Sequence, residues 1–369
     1  MHSGNQRGSG RSACLETRIG RLRLKNPVIA AAGEHLIDAA GIRSAILAGA
    51  GAVVGKSTNE SEAAKDQLTR AEYVALGPDW RPVPWGPDAP PATLLTRSGL
   101  TPLGFDDWLA QCVAMDRFAA RHDCLYVPSL ILAAPEPAVR MAKAVEAAGL
   151  RVLEFNIGTP YASQAAQGAV ATELSPARVG ELTRMMVQAV EIPVWVKITG
   201  QSERVPELAA AAFAAGAESV VMAGRALGLL PDLDTMAPVL GTSCGIGGWW
   251  NLPLTCHWLA TSRAALGPGH SLIGINGATN GADVARMLLA GASAVGLSSE
   301  VMLRGWSVLE EALATLEAYC RDKDLTVADL IGRAADARKR FADMPVLDQH
   351  WKGFIPAPLS GAMTENEDD

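Results

Sequence analysis

Apolar and small residues recur along this chain in one arrangement: a helical run ending in Ala-Gly, a short bridge, then a β-branched run. It occurs as LAGAGAVV around Gly49, AAGLRVLEF around Gly149, AAGAESVV around Gly216 and LAGASAVG around Gly291. Glycine just past a helix end supplies a left-handed C-cap, and a continuous Val-rich run reads as a strand buried in a parallel sheet. Each segment is thus a helix-to-strand junction. The last three glycines lie about two βα units apart, leaving room for one further strand in each interval. Strand candidates are Pro27–Ala32, Ala52–Lys56, Tyr126–Leu130, Val152–Asn156, Val194–Lys197, Ser219–Met222, Leu272–Asn276 and Ala294–Leu297. Eight strands alternating with amphipathic helices predict an α/β fold, a closed (β/α)8 TIM barrel rather than an open doubly wound sheet.

Helix starts agree. Ser175-Pro176 reads as an N-cap with proline at the first helical position, and Thr326 caps the helix beginning VADLIGRAAD. Asn59 to Asp106, rich in Pro, Gly and Trp, is too long for an ordinary βα loop and is expected to form a lid or pocket wall. The polar first twelve residues, MHSGNQRGSGRS, read as a disordered tail rather than a signal peptide, and TENEDD at the end as a solvated one. The expected organisation is a tail over 1–16, the barrel over 17–345, and a C-terminal extension over 346–369.

Charge and cysteine narrow the function. A net charge of -7 gives no basic field for a phosphate backbone, so nucleic acid is not an expected partner. The six cysteines form no C-x-x-C pair, which argues against structural zinc or an iron–sulfur cluster; no metal site and no disulfide framework are expected, and the cytoplasm is the default location. No apolar stretch is long enough to span a membrane.

Gly33, Lys56-Ser57, Asn156, Lys197 and Asn276-Gly277 end the first, second, fourth, fifth and seventh strand candidates, the face where barrel active sites assemble. A single lysine opening a loop is ordinarily just solvated. Two lysines and an asparagine at one barrel end point to a shared anionic ligand. Gly247-Gly248 before a helix opening near Leu254, and Asn276-Gly277 before a helix starting at Asn280, offer backbone N–H groups for a phosphate. His35 reads more readily as a supporting or surface residue than as a catalytic one. His257, in the apolar stretch CHWLA, reads as a hydrogen-bonded packing residue, and Trp249-Trp250 as packing or a shield.

Seven segments carry a resemblance: KNPVIAAAG (Lys25–Gly33), GAVVGKST (Gly51–Thr58), SGLTPLGFDDWL (Ser98–Leu109), LEFNIGTP (Leu153–Pro160), PVWVKI (Pro193–Ile198), GIGGWW (Gly245–Trp250) and IGINGATNGADVARMLLAGASAVGLSS (Ile273–Ser299). In order and spacing the set resembles the soluble (class 1) dihydroorotate dehydrogenases and the related dihydropyrimidine dehydrogenase domain, from roughly Thr17 to Ala342. The resemblance implies FMN over the barrel mouth. Ala31, Ala32 and Gly33 would contact its ring, Lys56 and Ser57 its edge and ribityl chain, Asn156 and Lys197 its pyrimidine side. Gly248, Asn276, Gly277, Ser298 and Ser299 would hold its phosphate. It further implies a CH–CH or C=C substrate that is small, polar and cyclic, with hydride transfer at flavin N5. Thr96, Ser98, Gly99, Leu100, Asn156 and Ala223 would form the substrate pocket, and Arg70 stands at the family's loop arginine. A homodimer is likewise implied, and a soluble electron acceptor or donor, or a partner subunit, is expected as the redox partner.

The departures set this chain apart. Where the family reads N-x-S-C-P-N or N-x-S-S-P-N, this chain reads NIGTPY, so Thr159 takes the base position and Tyr161 replaces the last asparagine. With Thr96 and Ala223 at two further asparagine positions, dihydroorotate is expected to be a poor substrate. Two other readings stay open: a flavin-free phosphate-binding lyase or isomerase using Lys197, and an FMN-binding paralogue without turnover.

Overall fold

All four Ala-Gly junctions adopt the left-handed conformation the pattern predicts, with φ of 93° at Gly49, 83° at Gly149, 100° at Gly216 and 118° at Gly291. The computed structural model describes residues 14–158 and 174–358. In chain order the strands are β1 (Thr17–Ile19), β2 (Leu22–Leu24), β3 (Val28–Ala30), β4 (Ala52–Val54), β5 (Glu72–Leu76), β6 (Thr93–Arg97), β7 (Leu125–Val127) and β8 (Ser129–Ile131). They continue as β9 (Leu153–Asn156), β10 (Val194–Lys197), β11 (Ser219–Met222), β12 (Ala226–Gly228), β13 (Cys244–Gly248), β14 (Leu272–Ile275) and β15 (Ala292–Leu297).

The main sheet is parallel, in the order β7-β4-β3-β15-β14-β11-β10-β9-β8. Its two ends, β7 and β8, are successive pieces of one strand parted at Pro128, which lacks an N–H for the ladder. β7 pairs with β4 and β8 with β9, so the sheet closes as the expected eight-stranded barrel, and the predicted single strand Tyr126–Leu130 is corrected to two short ones. The hairpin β1–β2 packs near the start of the barrel, where Thr17 donates to the Ser293 carbonyl at 2.7 Å.

Strand alternation sorts the side chains. Ile29, Val54, Val127, Trp195 and Ile273 fill the barrel interior, while Val28, Val53, Phe155, Val196 and Val220 join the larger layer under the helices. The caps hold: Ser175 Oγ accepts from Arg178 N, and Thr326 with Asp329 closes a reciprocal capping box.

Residues 59–106 form a wall of the barrel mouth, one of the two roles expected of them. They contain β5 and β6, which join β12 and β13 in an antiparallel sheet of order β12-β13-β6-β5 beside the barrel mouth. The barrel unit ends at Asp336, ahead of the expected boundary at 345. The following unit begins at Ala337; its described residues are all exposed and include two short turns, Phe341–Asp343 and His350–Phe354.

Candidate active site

The alternation that buries apolar side chains in the barrel carries polar ones to its mouth. Trp195 points inward on β10, so Lys197, two residues on, shares its face; on β9 the outward Leu153 and Phe155 leave Glu154 and Asn156 facing in. Glu154 is 2% exposed, a burial that a carboxylate tolerates only with partners. It has them: Ser129 Oγ donates to its Oε1 at 2.8 Å, Ser57 and Ser129 hydroxyls bond at 2.8 Å, and Lys197 Nζ lies 3.9 Å away.

Lys56, just past β4, is buried and ion-paired with Glu34 at 2.8 Å. Burial draws its ammonium below the ordinary value, with Glu34 opposing the shift and the charges of Arg225 and Lys197 adding to it. Burial also pushes the Glu34 carboxyl up, but Lys56, Tyr73 and Arg225 outweigh this and hold it below its usual range. The Tyr73 hydroxyl is buried beside Glu34 and Ser98; burial and the Glu34 charge push its ionisation far up, so it remains a neutral phenol.

Glu34, Lys56, Ser57, Tyr73, Asn156 and Lys197 line a cleft of about 1150 Å³, its open mouth included. At its far end Gly247-Gly248, Asn276-Gly277 and Ser298-Ser299 converge. Asn276 has a left-handed φ of 70°, and its amide links the loops by accepting from Gly248 N and donating to the Gly224 carbonyl, both at 3.4 Å. Gly277, at φ 115°, lies so close to the start of the preceding helix, Leu252–Leu266, that a Cβ would stand 2.5 Å from Leu252 N. A glycine-lined trough with backbone and hydroxyl donors at one end and two ammonium groups at the other suits FMN in polarity and charge. Glu300 lines the same end; burial pushes it up to about 7 against the pull of Arg304.

The twelve residues assigned to cofactor, Ala31, Ala32, Gly33, Lys56, Ser57, Asn156, Lys197, Gly248, Asn276, Gly277, Ser298 and Ser299, all line this one cleft, as do Thr96, Gly99 and Leu100. Ser98 stands behind the lining, accepting from Arg225 Nη2 at 2.6 Å. Ala223, 2% exposed, follows a cis peptide after Met222 and is also outside the lining. Arg70 is exposed and outside the lining of the cleft; its carbonyl accepts from Arg97 Nε at 2.8 Å. The arginine that enters the cleft is Arg225. Thr159 and Tyr161 lie outside the described residues.

Glu34, Tyr73, Arg225 and Glu300 were not foreseen, although Glu34 directly follows the first-strand glycine and Arg225 lies three residues past β11. His35 packs on Trp306 at 5.6 Å between centroids; neither ring nitrogen has a partner among the described residues, and burial draws it down to about 4. His257 is exposed rather than packed inside, with its ring against Trp258. No helix among the described residues is long and apolar enough to cross a membrane.

The family model described as dihydroorotate dehydrogenase matches residues 14–319. Among curated proteins, the chain is 30% identical over 184 residues to the dihydroorotate dehydrogenase B (NAD(+)) catalytic subunit of Saccharolobus solfataricus, covering 49% of this chain and 60% of that protein. It is 32% identical over 200 residues to dihydroorotate dehydrogenase A (fumarate) of Lactobacillus helveticus, covering 53% and 62%. To the B-type catalytic subunit of Methanocaldococcus jannaschii it is 24% identical over 325 residues, covering 87% and 98%. The matched segments thus span about three fifths of the first two relatives and nearly all of the third.

Proposed function

Because the chain belongs to the dihydroorotate dehydrogenase family, whose members use FMN, we propose that it is an FMN-dependent oxidoreductase acting on a CH–CH or C=C bond of a small, polar, cyclic substrate other than dihydroorotate. The observation that carries this reading is the convergence of both strand-end lysines, Asn156 and the glycine trough on one cleft.

Bound FMN would supply hydride acceptance and donation at its N5. Ala31, Ala32 and Gly33 offer a small, flat floor for its ring. Lys56 and Ser57 would hold its edge and ribityl chain; Gly248, Asn276, Gly277, Ser298 and Ser299 its phosphate. Lys197, steadied by Glu154, holds a positive charge beside Asn156 that would stabilise negative charge on the pyrimidine side of a bound flavin ring. Thr96, Gly99 and Leu100 border the substrate end. Proton transfer at substrate carbon falls to Thr159, with Tyr161 as a second hydroxyl able to donate. The electron partner is a soluble acceptor or donor or a partner subunit, and the working unit a cytoplasmic homodimer.

The test is FMN stoichiometry. Protein purified or reconstituted with FMN should be yellow with one FMN per chain and be reduced by its substrate. Colourless protein that takes up no FMN would overturn the reading and turn attention to a flavin-free lyase or isomerase.

A further inference from the structure

We propose that Glu154 is a redox-linked proton acceptor, reached through Ser57 and Ser129, that takes up a proton when a flavin bound in the cleft is reduced. The inference rests on the reading above and adds the destination of the proton that the substrate gives up.

Strand register builds the row. β8 and β9 are parallel neighbours in which Ser129 is the direct partner of Glu154, so both side chains stand on one face. The backbone after β4 runs on beside β8, with Thr58 N donating to the Ser129 carbonyl at 3.1 Å, and this sets Ser57 against Ser129. Ser57 lines the cleft, whereas Ser129 and Glu154 lie behind its lining, 0% and 2% exposed.

Hydroxyl valence fixes the direction of the bonds, because each serine has one hydrogen to give. Ser129 gives its hydrogen to Glu154 Oε1 at 2.8 Å, so in the 2.8 Å contact between the two hydroxyls it is Ser57 that donates. Ser57 therefore turns only lone pairs toward the cleft. A proton reaching Ser57 Oγ from the cleft forms a new O–H bond there as the old one passes its hydrogen to Ser129. Ser129 in turn passes its own hydrogen to Glu154. Both serines end as they began, and Glu154 ends as a neutral acid.

The neighbouring charges set when this happens. Lys197 Nζ lies 3.9 Å from Glu154 Oε1 and lines the cleft, while the other lysine there, Lys56, is held by Glu34 at 2.8 Å. Before reduction, Lys197 and Glu154 balance each other. Negative charge on a reduced ring beside Lys197 would set two anions against one buried ammonium, which is unfavourable. A proton on Glu154 leaves one cation and one anion, as before. In turnover the substrate supplies both parts: a hydride whose electron pair goes to the ring, and a proton that goes to Glu154.

The midpoint potential of FMN-loaded protein, followed against pH in the mildly alkaline range with redox mediators, counts the protons taken up per electron pair. Two are expected in the unaltered protein, at the ring and at Glu154, and one in Glu154→Gln, so the slope halves. Reduced-minus-oxidised infrared spectra should show the C=O stretch of a protonated carboxylic acid, and Glu154→Gln should remove it. Ser129→Ala should keep the slope and the band, but the band should form at least about tenfold more slowly after flash reduction, an effect that a merely structural serine would not produce. One proton per electron pair in the unaltered protein, a slope unchanged in Glu154→Gln, or a band that forms equally fast in Ser129→Ala would each overturn the proposal. The first and third of these are read without Glu154→Gln, should that variant not fold. Protein that takes up no FMN would instead refute the flavoenzyme reading, whereas bound FMN reduced with a single proton refutes only the relay.

Discussion

Lys56 Nζ sits 2.8 Å from Glu34 Oε1 at the barrel mouth, with side chains only 10% and 17% exposed. The two lie on loops following adjacent strands, and the pair sets the charge of one end of the cleft.

Breaking that pair from the carboxylate side should be costly. Glu34→Gln leaves a buried ammonium without its counter-ion; a fully buried pair broken this way costs ~3–5 kcal/mol, and the residual exposure here reduces the expectation to about 1–3 kcal/mol at pH 7. Because Glu34 is held below its ordinary 4.5, its stabilisation is present above that value and is lost as pH falls through the lower folded one. Urea unfolding of both proteins at pH 7 and in acid should show the gap narrowing in acid. A gap independent of pH would mean that the carboxylate's charge is not what the glutamine removes.

Glu300 carries the opposite sign. Its folded value is raised from 4.5 to about 7, so the folded state holds a proton that the unfolded chain releases. Stability is therefore lost as pH rises from 4.5 toward 7, by at most about 3.5 kcal/mol at ~1.4 kcal/mol per unit. Glu300→Gln should raise the melting temperature of FMN-free protein at pH 8 and leave it nearly unchanged at pH 4. Parallel melting curves across pH would rule out this titration.

Lys197→Ala should weaken FMN binding or slow its reduction, and it should also destabilise the fold by stranding Glu154. Adding Glu154→Gln should recover stability without recovering function. Flavin affinity and reduction rate both unchanged in Lys197→Ala would make this lysine a bystander.

Dihydroorotate should reduce the bound flavin slowly. By the resemblance, Thr96, Tyr161 and Ala223 stand where that family has asparagines; each lost contact would be worth roughly 1–3 kcal/mol, so a rate penalty of at least about a hundredfold is expected. Stopped-flow reduction with Thr159→Ala and Tyr161→Phe variants measures it. Fast reduction that persists in Tyr161→Phe and vanishes in Thr159→Ala would identify an ordinary dihydroorotate dehydrogenase with a threonine base.

What the sequence by itself determined is the part of the molecule governed by local rules. The glycines at 49, 149, 216 and 291 announce helix ends because a left-handed φ is a property of one residue and its neighbours. Lys197 and Asn156 could be placed at the mouth because a strand alternates strictly, so Trp195 and Lys197 must share a face. The break at Pro128, by contrast, shows only once β7 and β8 are seen to pair with different neighbours. Arg225, Thr96 and Tyr73 come from three separate stretches whose neighbourhood depends on antiparallel pairing between insertions, and no local periodicity encodes that register. Arg70 illustrates the reverse: its position in a pocket-side loop was legible, but a short turn leaves it exposed, and the arginine entering the cleft comes from beyond β11. Only the tertiary structure decided which charge reaches the cleft, because a long side chain goes where packing leaves a gap, and here the gap is the missing Cβ of Gly245.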